Sequence, residues 1–155
     1  NPLVEVLPLP HNPSHQGVFL TQDCEEGTIL MRLQGGVVPH SSRWTIQLDR
    51  DRHLHVEGAG AFLNHACVPN CAIVFAQGQE PCVEALISMP AGTQLTFNYN
   101  TTEWAMTESF PCACGATCCP GVIAGFSALS APERHALSLK TSSPFIRDMH
   151  LQHCD

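Results

Sequence analysis

Residues 64–71 read Asn-His-Ala-Cys-Val-Pro-Asn-Cys, a segment that combines two amides, an imidazole and two thiols. Two further segments follow downstream: Gly-Thr-Gln-Leu-Thr-Phe-Asn-Tyr at 92–99, and Cys-Ala-Cys-Gly-Ala-Thr-Cys-Cys at 112–119. Each segment alone is a modest signal, because a short motif also arises by chance. Their order and spacing together decide how the rest of the chain is interpreted.

The composition indicates one folded domain. The chain has 155 residues, of which 44% are hydrophobic and 14% are charged. This length suits a single hydrophobic core, and the low charge content argues against a disordered tail. Because no apolar run approaches the length of a membrane span, we predict no membrane association.

The charge balance is acidic, with 14 Asp and Glu against 7 Lys and Arg. Nucleic-acid binders usually carry a basic patch, so no direct nucleic-acid contact is predicted. Two explanations of the acidity stay open: it serves solubility alone, or it complements a basic peptide partner. The first residues lack the basic and apolar regions of a secretory signal, so we expect an intracellular protein, nuclear or cytoplasmic. A monomer is the expected assembly.

The pattern of apolar residues predicts many short strands, at 3–9, 18–20, 28–33, 37–38, 45–48, 53–56, 72–76, 83–88 and 95–99. The prolines at 10 and 13 indicate a loop before the second strand. We expect 18–20 and 28–33 to form a hairpin-like unit, which Gly35 and Gly36 end. A charged turn is expected to join 45–48 to 53–56.

The tail is predicted to be helical. Ser130 can cap a helix that has Pro132 in its first turn, Glu133 at the capping-box position and an end near Lys140. A second short helix is predicted over 144–151. Many short strands followed by short C-terminal helices make the predicted fold class mostly β.

The cysteines indicate a metal site. Four of the nine cysteines lie in residues 112–119, and three thiolates from this segment leave a structural zinc ion one ligand short of its usual four. Buried free thiols are the alternative, and the tight spacing makes them the poorer explanation. Cys24, Cys82 and Cys154 are expected to be ordinary thiols.

Together the three segments resemble the SET-domain protein methyltransferases with a post-SET zinc motif, over roughly residues 15–121. The resemblance implies a β-clip-like SET fold of short strands, in which 61–71 passes under another segment in a knot-like arrangement. It implies S-adenosylmethionine and zinc as cofactors. It also implies a SET domain over 1–107, a post-SET zinc segment over 108–121 and a helical tail over 122–155 that packs on the domain.

The resemblance also implies roles for individual residues. Tyr99 corresponds to the catalytic tyrosine. The implied cofactor-binding residues are His15, Gln16, Gly17, Val18, Asn64, His65, Tyr99 and Phe110. The implied zinc ligands are Cys67, Cys112, Cys114 and Cys119, with Cys71 the alternative to Cys67 and Cys118 the alternative to Cys119. Phe97 occupies the family's phenylalanine/tyrosine switch position in the substrate channel.

Several positions depart from the family pattern: His15 replaces a glycine, Ala61 an arginine, Ala66 a serine and Asn98 an aspartate. Tyr99 is also the only tyrosine, so Trp44, Phe62 or Phe75 must line the channel instead of further tyrosines. Three functions follow from this pattern. The first is methyl transfer to a lysine of a basic protein or peptide, the second is transfer to a small molecule or non-lysine group, and the third is a non-catalytic zinc scaffold.

Overall fold

The computed structural model describes residues 3–153, so residues 1–2 and 154–155, including Cys154, lie outside the description. The strands are β1 Val4–Leu9, β2 Asn12–Leu20, β3 Ile29–Arg32, β4 Gly35–Val38, β5 Thr45–Gln47, β6 His53–Val56, β7 Asn64–His65, β8 Cys71–Val74, β9 Cys82–Ala85, β10 Thr96–Phe97, β11 Phe110–Pro111 and β12 Val122–Ile123. Helices α1 Ala131–Ser138 and α2 Pro144–Gln152 follow. The predicted mostly-β fold class with short C-terminal helices is confirmed.

The strands form several small sheets. Two have three strands, in the orders β3-β9-β8 and β4-β6-β5, and both are antiparallel. The pairs β1-β2 and β11-β12 are also antiparallel, whereas β7 and β10 are parallel. The predicted connection of β5 to β6 through the charged turn is confirmed.

The predicted loop before residue 18 is wrong, because β2 already begins at Asn12 and contains Pro13. Leu9 pairs with Asn12 and Pro8 with Gln16, so a register shift leaves Pro13 outside the paired positions. Proline is tolerated at such a bulge because no ladder hydrogen bond needs its missing N–H. The sequence pattern did not distinguish this bulge from a loop.

Two further predictions about strands are wrong. The strands over 18–20 and 28–33 do not pair with each other, because β2 pairs with β1 and β3 pairs with β9. Gly35 and Gly36 do not end a strand but belong to β4. A Cβ atom at Gly35 would overlap the backbone oxygen of His55, and its φ of +154° is rare for other residues. Glycine there permits the close approach of β4 and β6.

The strand predicted over 95–99 is shorter, because β10 ends at Phe97 and a 3₁₀ turn covers Tyr99–Thr101. The Asn98 side chain caps this turn by accepting a hydrogen bond of 3.0 Å from the backbone N–H of Asn100. An aspartate would accept the same bond, so the departure at Asn98 preserves the local structure.

Both C-terminal helices are confirmed. Ser130 and Glu133 form the predicted capping box of α1, which ends at Ser138 rather than near Lys140. Within residues 3–153 none of the helices has the length and apolar character needed to span a bilayer.

Two clusters of buried side chains hold these elements together. The larger cluster takes its side chains from β1–β3, β5, β6, β8–β10 and the loops between them. The smaller one contains Phe126, Leu129 and Ile146, packed against Trp104.

Candidate active site and zinc centre

The parallel pairing of β7 and β10 brings the first two sequence segments together. Asn64 lies beside Thr96, and His65 lies beside Phe97. Asn70 fixes this arrangement, because its Oδ1 accepts from the backbone N–H of Thr96 at 2.9 Å and its Nδ2 donates to the Gln94 carbonyl at 2.8 Å. Sequence reasoning assigned no role to Asn70, although it belongs to the segment quoted first.

A cavity of about 1230 Å³ lies at this junction. The implied cofactor and channel residues that line it are His15, Gln16, Trp44, Phe62, Asn64, His65, Phe97, Tyr99 and Phe110. The cavity lining does not include Gly17 or Val18, and the Val18 side chain is buried in the core. Phe75 lines a different groove. The sequence segments therefore converge on one cavity, with these three residues outside it.

The Tyr99 side chain is held in place at its hydroxyl and at its ring. Its hydroxyl donates to the Leu63 carbonyl at 2.6 Å, and its ring contacts those of His65, Phe97 and Phe110. Burial raises the pKa of the phenol to about 12. The hydroxyl is therefore neutral near pH 7, with its proton committed to Leu63 and its oxygen lone pairs available to a donor.

His65 connects this tyrosine to the cysteines. Its Nδ1 accepts from the backbone N–H of Tyr99 at 3.1 Å, and its Nε2 lies 3.3 Å from the Cys67 sulfur. Since Nδ1 accepts, Nε2 carries the proton and donates to the sulfur. Burial lowers the pKa of His65 to about 4, which keeps the imidazole neutral and this tautomer in place.

The amide of Asn64 presents one free acceptor. Its Nδ2 donates to the Gln16 carbonyl at 2.9 Å and to Gln94 Oε1 at 3.0 Å. Oδ1 accepts no hydrogen bond from the described residues and can receive a donor in the cavity. Gly17 is tightly packed behind this site, because a Cβ atom there would lie 2.8 Å from Leu9 and 2.9 Å from Gln94.

One side of the cavity is lined by aromatic rings and a guanidinium group. The rings of Trp44 and Phe62 meet edge to face with centroids 6.1 Å apart, and the Arg43 guanidinium lies 4.7 Å from the Trp44 ring centroid. Phe97 is buried beside Tyr99. This side of the cavity can hold an extended aliphatic chain.

Glu103 is a functional candidate that sequence reasoning missed. It lines the cavity yet is only 8% exposed, and its Oε2 accepts from Thr102 Oγ1 at 2.6 Å and from the backbone N–H of Gln47 at 3.2 Å. Burial raises the pKa of this carboxyl to about 7, although the two hydrogen bonds oppose the shift. A glutamate outside any known motif gave no signal in the sequence.

Four cysteines form a separate cluster beside the cavity. One sulfur each from Cys67, Cys112, Cys114 and Cys119 lies within 4.8 Å of all the others. Zinc with bonds of about 2.3 Å holds tetrahedral sulfurs roughly 3.8 Å apart, and the Cys67 and Cys112 sulfurs are 3.9 Å apart. The cluster therefore fits a tetrahedral zinc ion.

The alternatives left open by the sequence separate at this cluster. The Cys118 thiol donates to the Cys67 carbonyl at 3.6 Å and lies outside the group of four, and the Cys71 side chain is buried in the core. A backbone hydrogen bond from Gly121 is the main cause that lowers the pKa of Cys119 to about 7, so this sulfur readily becomes a thiolate.

The SET domain family matches residues 15–100, which is more than half of the chain. The chain belongs to the SET-domain family. Its SET domain is similar to "Methyltransferase flvH" of Aspergillus flavus, with 28% identity over 111 residues that cover 72% of this chain and 60% of the relative.

Two other relatives of the SET domain are named as histone-lysine N-methyltransferases. One, described as H3 lysine-4 specific, comes from Chaetomium globosum and is 34% identical over 70 residues, covering 43% of this chain and 6% of that protein. The other, ASHH2 of Arabidopsis thaliana, is 30% identical over 130 residues, covering 70% and 7%. The chain thus spans 60% of the length of one relative and only a small part of the other two.

Proposed function

We propose that this SET domain transfers a methyl group from S-adenosylmethionine to a lysine amine of a basic protein or peptide. The observation that carries the proposal is the junction of β7 and β10, where Tyr99 and Asn64 line one cavity. The relatives named as histone-lysine methyltransferases support a lysine substrate.

The residues around the cavity fit the cofactor. Asn64 Oδ1 can accept a hydrogen bond from the ammonium group in the methionine part of S-adenosylmethionine. His15 and Gln16 line the same cavity. Phe110 offers a ring for stacking on the adenine. Gly17 and Val18 would act indirectly, by supporting the strand that carries Gln16. Bound S-adenosylmethionine supplies an electrophilic methyl group on a sulfonium.

Tyr99 is proposed to orient the substrate amine. Because its hydroxyl proton is committed to the Leu63 carbonyl, its oxygen is free to accept an N–H from the amine. That bond aims the nitrogen lone pair for an in-line displacement, which requires alignment of the reacting atoms. Tyr99 is no general base at neutral pH, since burial raises the pKa of its hydroxyl to about 12.

The amine must lose its proton to water before it reacts. A free lysine amine has a pKa of about 10.4, and an apolar site lowers this value because it disfavours the charged form. The rings of Trp44, Phe62 and Phe97 supply such an environment around the substrate chain. Phe97 carries no hydroxyl that would restrict a methylated amine, so addition of more than one methyl group is proposed.

The zinc centre is proposed to support the same site. With Cys67, Cys112, Cys114 and Cys119 as ligands, zinc would tie 108–121 to the centre of the domain. The donated bond from His65 to Cys67 then links the metal site to the backbone of Tyr99. The organisation proposed is a SET domain over 1–107, a post-SET segment over 108–121 and a tail over 122–155.

The proposed partner is a basic, lysine-containing protein or peptide, because the chain carries a net charge of −7. The histone-directed names of the relatives agree with such a partner. A monomer in the nucleus or cytoplasm is the corresponding proposal for assembly and location.

Isothermal titration calorimetry of the zinc-loaded protein with S-adenosylmethionine and S-adenosylhomocysteine tests the cofactor site. Micromolar binding of both, on the order of −8 kcal/mol, is expected. Absence of binding in a folded protein with one zinc ion would favour the non-catalytic scaffold instead.

A second candidate function is methyl transfer to a small amine. Tyr99 is the only tyrosine of the chain, so the cavity lacks the further phenol groups expected in a lysine channel. The relative flvH is named only as a methyltransferase, without a histone substrate. Screening lysine peptides against small amines with the same cofactor assay separates the two candidates.

A further inference from the structure

Glu103 supplies the cavity with a carboxyl oxygen that has no hydrogen-bond partner among residues 3–153. Its Oε2 accepts two hydrogen bonds, from Thr102 and from the backbone of Gln47. Its Oε1 accepts none from the described residues and is not fully buried, so it faces the cavity that Glu103 lines. A residue that is only 8% exposed thus presents one free carboxyl oxygen to the cavity.

The Glu103 carboxylate and the Tyr99 hydroxyl line the same cavity and have different neighbours. The Tyr99 side chain contacts Leu63, His65, Phe97 and Phe110, whereas the Glu103 carboxylate contacts Gln47 and Thr102. The two residues are one turn apart in the chain, because the Glu103 backbone N–H donates to the Tyr99 carbonyl at 3.1 Å. Because both residues line one cavity, a substrate bound there can meet both groups.

The carboxylate also lacks a protein cation. No basic group among residues 3–153 lies within 4.0 Å of it, and Arg43, which lines the same cavity, sits over the Trp44 ring. Burying an ionised carboxylate without a partner is costly, and burial accordingly raises its pKa to about 7. A cation bound at Oε1 would remove that cost.

We propose that Glu103 is a specificity-determining residue that pairs with a second cationic group of the substrate, while the reacting amine lies at Tyr99. The substrate class is then a primary amine that carries another positive charge, either a small diamine or a lysine followed by a basic residue. This inference rests on the proposed methyl transfer, and it explains how a cavity with one tyrosine can select a cation.

Titration calorimetry on the protein saturated with S-adenosylhomocysteine, at about pH 8, tests the pairing. The probes are 1,5-diaminopentane and n-pentylamine, which share a chain length and differ in the second charge. A second pair, the blocked dipeptides Lys-Arg and Lys-Ala, distinguishes a peptide source from a diamine. In the pair that matches the substrate source, we expect the doubly charged probe to bind at least about tenfold more tightly than the singly charged one.

The variant E103Q is the matched comparison, because its amide oxygen can still accept from Thr102 and Gln47. We expect the preference to fall to within about twofold while the affinity for S-adenosylhomocysteine stays at its wild-type value.

Three results would overturn the proposal: equal binding within both probe pairs, no binding of any probe, or a preference that survives in E103Q. The first two need no variant, so a folding defect in E103Q cannot conceal them. Failure of the proposed methyl transfer would look different, because S-adenosylhomocysteine itself would not bind. In that case the preference for the doubly charged probe can still be measured on the protein without S-adenosylhomocysteine.

Discussion

Tyr99 is the residue on which the proposed chemistry depends most directly. Replacing it by phenylalanine removes the oxygen that would orient the amine but keeps the ring contacts with His65, Phe97 and Phe110. We expect Y99F to slow methyl transfer at least about 100-fold, since misalignment of reacting groups has an effect of this size. Single-turnover assays with labelled cofactor measure the rate.

The control for Y99F is cofactor affinity. Calorimetry should give binding of S-adenosylhomocysteine close to that of the wild type, because the aromatic ring at position 99 is kept and the Asn64 contacts do not involve the Tyr99 hydroxyl. Full activity in Y99F would remove Tyr99 from the mechanism.

The pKa of the Glu103 carboxyl predicts that the stability of the protein changes with pH. Its pKa is raised by burial from 4.5 to about 7 in the folded protein. The folded state thus binds a proton that the unfolded state releases between these values. The stabilisation is complete below about pH 4.5 and is lost as the pH rises toward about 7, by roughly 3 kcal/mol at about 1.36 kcal/mol per pKa unit.

Urea unfolding of the wild type and of E103Q at about pH 5 and about pH 8 measures this contribution. The free energy of unfolding of the wild type minus that of E103Q should be larger at about pH 5 than at about pH 8. Contributions from groups that both proteins share cancel in this difference. An unchanged difference between the two pH values would mean that the carboxyl titrates normally.

Helix α1 owes its start to a local cap. Ser130 accepts from the Glu133 backbone N–H at 3.4 Å, and the Glu133 carboxylate accepts from the Ser130 backbone N–H at 2.7 Å. We expect S130A to lower the free energy of unfolding by about 1 kcal/mol, as measured by urea denaturation. Ser138, whose hydroxyl donates to the His135 carbonyl at the other end, provides the control S138A, expected to change stability by less than about 0.5 kcal/mol.

The helices and strands show which structural features a local sequence pattern can predict. The capping box of α1 and the connection between β5 and β6 were predictable, because each depends on residues close together in the chain. The bulge at Pro13 and the glycines inside β4 were not predictable, because the positions of β1 and β6 decide them. Likewise Tyr99 lies in a turn that Asn98 caps, although the apolar pattern favours a strand.

At the scale of the whole molecule, zinc is expected to hold the segment 108–121 in place. Chelation should remove the zinc ion and with it the link to Cys67, the ligand that connects this segment to β7 and the centre of the domain. We expect amide hydrogen exchange over 108–121 to become rapid after zinc removal, while the strands of the larger core remain protected. Retained protection of 108–121 would contradict a structural zinc ion.

Two cysteine variants sharpen the zinc experiment. C114S removes a predicted ligand and should abolish stoichiometric zinc, whereas C118S changes a thiol outside the cluster and should keep it. Zinc content after dialysis measures both. Equal loss in the two variants would mean that Cys118 also binds the metal.

The sequence by itself determined the family, the mostly-β class and the set of thiols, because these depend on residue types at fixed spacing within short segments. Only the tertiary structure decided that Cys67 and Cys119, rather than Cys71 and Cys118, face the other sulfurs. It alone revealed Glu103 and the tautomer of His65. These features depend on contacts between residues far apart in the chain, and spacing along the sequence carries no information about which distant atoms the packed core brings together.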